Sequence, residues 1–175
     1  MNEIFPPLRT ISTSKATAGS IIRIPRSDPV LAFVTDQSFD KGGRSLVILN
    51  ATIEGRPSIL FGDNWQNVDY CLALEGPLHF ELSTNRGDVD PKGHDWWEIS
   101  GVIVSVGDQF YLRVAPFDGF YGGYKLVNIR TGSLLSEPIP NFAWTFGVWR
   151  VWLRDSIAAR SFSIFEFDVH KQTSK

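Results

Sequence analysis

The chain has 175 residues, of which 43% are hydrophobic and 21% are charged, a composition typical of one globular domain and unlike that of a disordered or membrane-spanning chain. A formal net charge of −2 argues against a broad nucleic-acid-binding surface, because binding to phosphates needs clustered lysine and arginine. The single cysteine, Cys71, excludes an intramolecular disulfide and a multi-cysteine zinc site.

The first segment of the chain has few apolar side chains. Pro6 and Pro7 are followed by the hydroxyl-rich run STSKATAGS, which cannot bury enough apolar surface to pack by itself. We therefore predict an extended N-terminal arm over 1–18, a single β domain over 19–170 and a polar tail over 171–175. The start of the sequence lacks the features of a signal peptide, and no run reaches membrane-spanning length. We expect a soluble protein made in the cytoplasm, with no membrane partner.

The rest of the sequence is a series of short apolar runs rich in β-branched and aromatic residues, separated by Gly, Pro, Asn and Asp. Such a series predicts strands and turns. The predicted strands cover 20–24, 30–35, 45–53, 58–62, 68–74, 78–83, 96–106, 109–115, 124–130, 144–153 and 161–169. The best helical candidate is 154–160, where Asp155 or Ser156 would cap the first turn. The sequence therefore predicts an all-β fold.

The predicted strand at 144–153 has apolar residues on both faces. Trp149 and Val151 fall on one face and Trp152 on the other. Because both faces need cover, we predict a two-sheet antiparallel sandwich, with a jelly roll among its topologies, whose second face meets loops, the arm or another subunit. An up-and-down β-barrel around a ligand cavity is the alternative. Arg150, within this apolar strand, is predicted to pair with a carboxylate or to stack on Trp152 if its face is buried.

Aromatic residues make up 13% of the chain and are the most distinctive feature of its composition. In the run PFDGFYGGY, glycines free the backbone around four rings, which would form a surface for a protein or a sugar or close one end of the sandwich. Trp96 and Trp97 are adjacent, and neighbouring residues of a strand face opposite sides. One of the two indoles therefore lies outside the main core and needs cover from a partner or from another part of the chain. The predicted aromatic contact surface consists of Trp96, Trp97, Phe117, Phe120, Tyr121 and Tyr124.

The sequence assigns no residue to catalysis, to a metal or to a cofactor. Asp88, Asp90 and Asp95 offer the oxygen ligands that calcium prefers, but their spacing departs from the EF-hand pattern. A solvated turn is the alternative, and calcium binding by this loop stays open. His94 beside Asp95 has the chemistry of a general base, yet no nucleophile motif accompanies it.

Three hypotheses for function follow from these residues. The first is a non-enzymatic structural or assembly protein that self-associates or binds a protein partner, for example as a subunit of a virion or multiprotein complex. The alternative is a carbohydrate- or small-ligand-binding β module that uses the aromatic surface. The third is a hydrolase built on His94 and unidentified carboxylates.

Overall fold

The computed structural model describes residues 8–38, 44–53, 56–65, 68, 70–74, 76–83, 100–116, 125–135, 144–155 and 160–169. These residues form thirteen strands and one short 3-10 helix, Thr13–Lys15, and none of their helices is long and apolar enough to cross a membrane. The strands are β1 Leu8–Ile11, β2 Ile21–Ile24, β3 Val30–Ser38, β4 Arg44–Ile53, β5 Arg56–Trp65, β6 Cys71–Leu74, β7 Leu78–Leu82, β8 Ile103–Val106, β9 Gln109–Pro116, β10 Lys125–Asn128, β11 Trp144–Phe146, β12 Val148–Asp155 and β13 Arg160–Asp168. The all-β prediction is confirmed.

The described strands form two sheets. Ten of them make a large sheet in the order β1-β6-β2-β3-β4-β5-β9-β8-β11, with β10 paired to β9. Its pairings are antiparallel except where β5 meets β9, which places Leu60 beside Ala115 and Phe61 beside Pro116 in parallel. The other three strands make a small antiparallel sheet in the order β13-β12-β7. Because neither sheet closes within these ranges, the fold is the predicted sandwich and not the alternative barrel.

The main core lies between the two sheets and is centred on Trp149, which is 1% exposed. Its ring centroid lies 6.0 Å from that of Phe80, 5.6 Å from that of Phe165 and 5.5 Å from that of Phe167. The indole N–H donates a hydrogen bond to the carbonyl oxygen of Gly101 at 2.7 Å. The ring of Phe80 also lies 6.4 Å, centroid to centroid, from that of Phe33 in β3, so aromatic packing joins the small sheet to the large one.

The opposite face of the large sheet is buried as well. Ala16 belongs to this second core, and Ile11 and Val68 pack against it. The strand side chains in it are at most 5% exposed; they are Ile22, Ile24, Ala32, Val34, Leu46, Ile48, Leu60 and Cys71. Since this burial arises within one chain, the apolar faces of these strands do not by themselves require another subunit.

The described part of the predicted arm contacts the domain of its own chain. β1 pairs with β6 along its whole length and forms the end strand of the large sheet. Thr13 is fully buried, and its backbone N–H donates to the carbonyl oxygen of Val68 at 3.1 Å. The Cys71 thiol donates to the carbonyl oxygen of Ile11 at 3.3 Å, and burial raises the pKa of this thiol. These contacts give the arm partners within one chain.

The single strand predicted over 144–153 is two strands in the structure. β11 pairs with β8 in the large sheet, whereas β12 is the middle strand of the small sheet. Gly147 separates them, so the chain passes from one sheet to the other at a buried glycine. The apolar pattern continues across this residue because the strands on both sides contribute to the core, and the pattern alone therefore hides the break.

The predicted helix over 154–160 is wrong at both ends. Arg154 and Asp155 end β12, and Arg160 begins β13 directly opposite Asp155. The antiparallel pairing places these residues in strands, whereas a short isolated helix would make few tertiary contacts. Residues 156–159, which connect the two strands, lie outside the described residues.

Candidate functional site

The residues that the sequence predicts for a functional site lie outside the described part of the chain. This applies to Trp96, Trp97, Phe117, Phe120, Tyr121 and Tyr124. It also applies to His94 and to the aspartates of its loop. Their grouping into one surface stays a prediction, and the candidate site lies on strands that the structure describes.

The small sheet has one face on the core and one face in solvent. In β12, Trp149, Val151 and Leu153 are buried, whereas Arg150 is exposed and Trp152 is partly exposed. The predicted alternation of this strand is thus confirmed. In β7 the same alternation places apolar residues on the core and polar ones outside.

The solvent-facing side of this sheet, which we call the outer face, is organised by β12 in the middle. Arg150 lies opposite Glu81 of β7 on one side and opposite Glu166 of β13 on the other. Trp152 lies opposite His79 and Ser163 in the same way. The outer face is therefore defined by His79, Glu81, Arg150, Trp152, Ser163 and Glu166.

A β-bulge in β13 maintains this pattern. The register against β12 shifts by one residue at Ile164. Ile164 and its neighbour Phe165 both pack against the core, whereas Ser163 and Glu166 are exposed on either side of them. A bulge inserts one extra residue into a strand, and here it lets two consecutive apolar side chains face inward while the outer face continues.

Two polar contacts order the side chains of the outer face. The Arg150 guanidinium lies 3.1 Å, Nε to Oε2, from the Glu166 carboxylate, and the two side chains are 46% and 41% exposed. Of the two contacts predicted for a buried Arg150, the structure has the carboxylate, but on an exposed face. The Trp152 indole N–H donates to Glu81 Oε2 at 2.9 Å. Exposed ion pairs contribute about 1 kcal/mol or less, so these contacts hold side-chain positions more than they hold the fold.

Charge on the outer face is arranged by strand. The central strand contributes Arg150 and, one alternation beyond Trp152, Arg154. On one side β13 contributes Glu166 and, by the same alternation, Asp168, and on the other side β7 contributes Glu81. The result is a basic stripe on β12 beside an acidic stripe on β13, with Trp152 on the basic stripe.

The described ranges contain no recognisable metal centre. No three or more His, Cys, Asp or Glu side chains there are grouped so that they could hold a metal ion. The sequence matches no protein-family model, and neither a curated protein nor a solved structure matches it significantly. The candidate site therefore has to be interpreted from its own geometry.

Sequence reasoning identified only part of this site. It singled out Arg150 and Trp152, but it did not connect them to Glu81, which lies 71 positions away from Trp152 in the chain. The available signal was the run LHFELS, where polar residues alternate with apolar ones. Such alternation predicts an exposed face, although it does not predict which strand lies beside it.

Proposed function

We propose that this protein is a non-enzymatic β-sandwich that acts through protein–protein contacts, in a structural or assembly role such as a subunit of a virion or multiprotein complex. The observation that carries the proposal is the pair Arg150 and Trp152 on the solvent side of one central strand. Arginine and tryptophan are among the residues that most often dominate the binding energy of protein interfaces. We therefore place the contact surface on the outer face.

Order in the free protein supports this placement. The polar atoms of Arg150 and Trp152 already have partners in Glu166 and Glu81, and the backbone beneath them is paired on both sides. A surface that is ordered before binding loses less side-chain entropy when a partner arrives. Buried Trp149, on the reverse of the same strand, fixes β12 against the core.

Carbohydrate binding is the alternative that the same face favours, because an aromatic ring beside carboxylates offers both a stacking surface and hydrogen-bond acceptors. The existing contacts argue for a protein partner instead. Glu81 already accepts a hydrogen bond from Trp152, and Glu166 is already paired with Arg150. A sugar would have to displace these contacts to use the carboxylates as hydrogen-bond acceptors, whereas a protein partner of complementary charge can add ion pairs around them.

Site-specific photocrosslinking in cells that make the protein tests this proposal. A benzophenone amino acid at exposed His79, beside Trp152, is expected to yield adducts with protein, and Trp152→Ala in the same chain is expected to reduce them several-fold. Exposed Asp28, between β2 and β3, is the matched control position. Absence of protein adducts at His79, or the same adducts from Asp28, would contradict a contact role for the outer face.

A further inference from the structure

We infer that the outer face binds the outer face of a second copy of this chain, so that two small sheets pack face to face about a twofold axis. This inference rests on the proposed function and identifies its partner. Three features of β12 and β13 support it: their cross-strand register, their stripes of charge and the sizes of their opposing side chains.

The register defines which residues would meet. If the twofold axis runs along the strands, midway between β12 and β13, then β12 of each copy lies over β13 of the other. Arg150 is in register with Glu166 within one chain. The rotation therefore places Arg150 of each copy over Glu166 of the second copy, and the two ion pairs become one network of four charges.

Side-chain size agrees with the same arrangement. Trp152 is in register with Ser163, so the rotation places the indole of each copy over a serine of the other. Sheets stack about 10 Å apart, with the side chains of the two faces interdigitated. A large side chain opposite a small one fits that spacing better than two large ones.

The stripes also disfavour the centred arrangement. If the axis passed through β12 itself, Arg150 would face Arg150 of the second copy, and Trp152 would face Trp152. Like charges in direct opposition reduce affinity. Moving the axis sideways from β12 to midway between β12 and β13 removes this repulsion and brings the basic stripe of each copy over the acidic stripe of the other. The charge pattern therefore favours the offset pairing.

The area of contact indicates a weak, reversible dimer. Two strands overlap in each copy, and β12 has eight residues, which gives a flat contact of about 10 Å by about 27 Å. Stable complexes bury about 800 Å² of accessible surface on each partner. We therefore expect a dissociation constant of about 0.1 mM, a strength suited to contacts repeated within a larger assembly.

Charge reversal distinguishes contacts between copies from contacts within a chain. Arg150→Glu and Glu166→Arg, each alone, are expected to weaken dimerisation at least about tenfold, because like charges then meet across the interface. An equimolar mixture of the two variants is expected to form a heterodimer, since every mismatched charge then finds its opposite on the other chain. Sedimentation velocity over about 5–500 μM measures these masses. Thermal unfolding checks that each variant folds. If a single variant does not fold, the double variant R150E/E166R replaces it in the test, and it is expected to dimerise because both charges are exchanged.

The outcomes separate this inference from the proposed function. Recovery of dimer in the mixture, with much less dimer in either variant alone, supports face-to-face pairing. A wild-type chain that stays monomeric at 500 μM, or single variants that dimerise as well as wild type, overturns the inference. Crosslinks from His79 to a different protein would then leave a contact role standing, whereas absence of every protein adduct would remove both.

Discussion

Trp149→Ala is expected to lower the free energy of unfolding by about 3–5 kcal/mol, the range seen when a large aromatic side chain is removed from a core. The indole is 1% exposed and packs against Phe80, Phe165 and Phe167. Its truncation would leave a cavity between the two sheets and would also remove the hydrogen bond to Gly101. Urea unfolding followed by far-ultraviolet circular dichroism measures the loss.

Trp152→Ala is the matched control, because this tryptophan lies three positions along the same strand but on the outer face. We expect this substitution to lower the free energy of unfolding by about 1 kcal/mol or less, since the indole is partly exposed and its one described polar contact is with an exposed carboxylate. Equal losses for Trp149→Ala and Trp152→Ala would mean that the small sheet does not pack with the face described above.

Gly132→Ala is expected to destabilise the protein by about 3 kcal/mol or more, because strain and overlap add at this position. Gly132 has a φ of +75°, and a Cβ there would lie 2.6 Å from the carbonyl oxygen of Val34 and 2.9 Å from the backbone nitrogen of Gly19. The same crossing is held by hydrogen bonds, from the N–H of Gly19 to Val34 and from the N–H of Asp36 to Gly132. Backbone atoms at such a crossing cannot move aside as a flexible side chain would.

Gly107→Ala separates the two contributions. Gly107 has a similar φ of +62°, but no atom lies within 4 Å of the position a Cβ would take. Its substitution is expected to lower the free energy of unfolding by about 1–2 kcal/mol, which is the effect of backbone strain without overlap of the added Cβ. Chemical denaturation of both variants gives the comparison. If Gly132→Ala cost no more than Gly107→Ala, the turn after β10 would not cross β3 as closely as described.

Sequence patterns located most strands because the signal for a strand is local. The run LHFELS predicted 78–83, and β7 covers Leu78–Leu82, since polar and apolar residues alternate there with a period of two. β1 was missed for the opposite reason. Its sequence, LRTI, has no clear alternation, and it is a strand because it pairs with β6, whose Cys71 lies 60 positions from Ile11.

The candidate site was harder to predict than the strands that carry it. The neighbours of Arg150 depend on which strands flank β12, and this follows from sheet topology that no local pattern encodes. The bulge at Ile164 is also hard to predict from the sequence. Two successive apolar residues interrupt the alternation before Glu166, and only the pairing with β12 shows that one of them is an extra residue. Sequence reasoning could predict that Arg150 needs a carboxylate, but only the fold shows that Glu166 supplies it.

Oxidative footprinting of two tryptophans tests most directly whether the outer face is the contact surface. Trp152 lies on that face, whereas Trp144, 59% exposed, lies on β11 of the large sheet and serves as an internal reference. Between about 5 and 500 μM protein, the oxidation rate of Trp152 is expected to fall several-fold while that of Trp144 stays constant, because dimerisation removes the Trp152 ring from solvent. An unchanged Trp152 rate, or protection of Trp144 alone, would contradict the pairing of two copies through the small sheet.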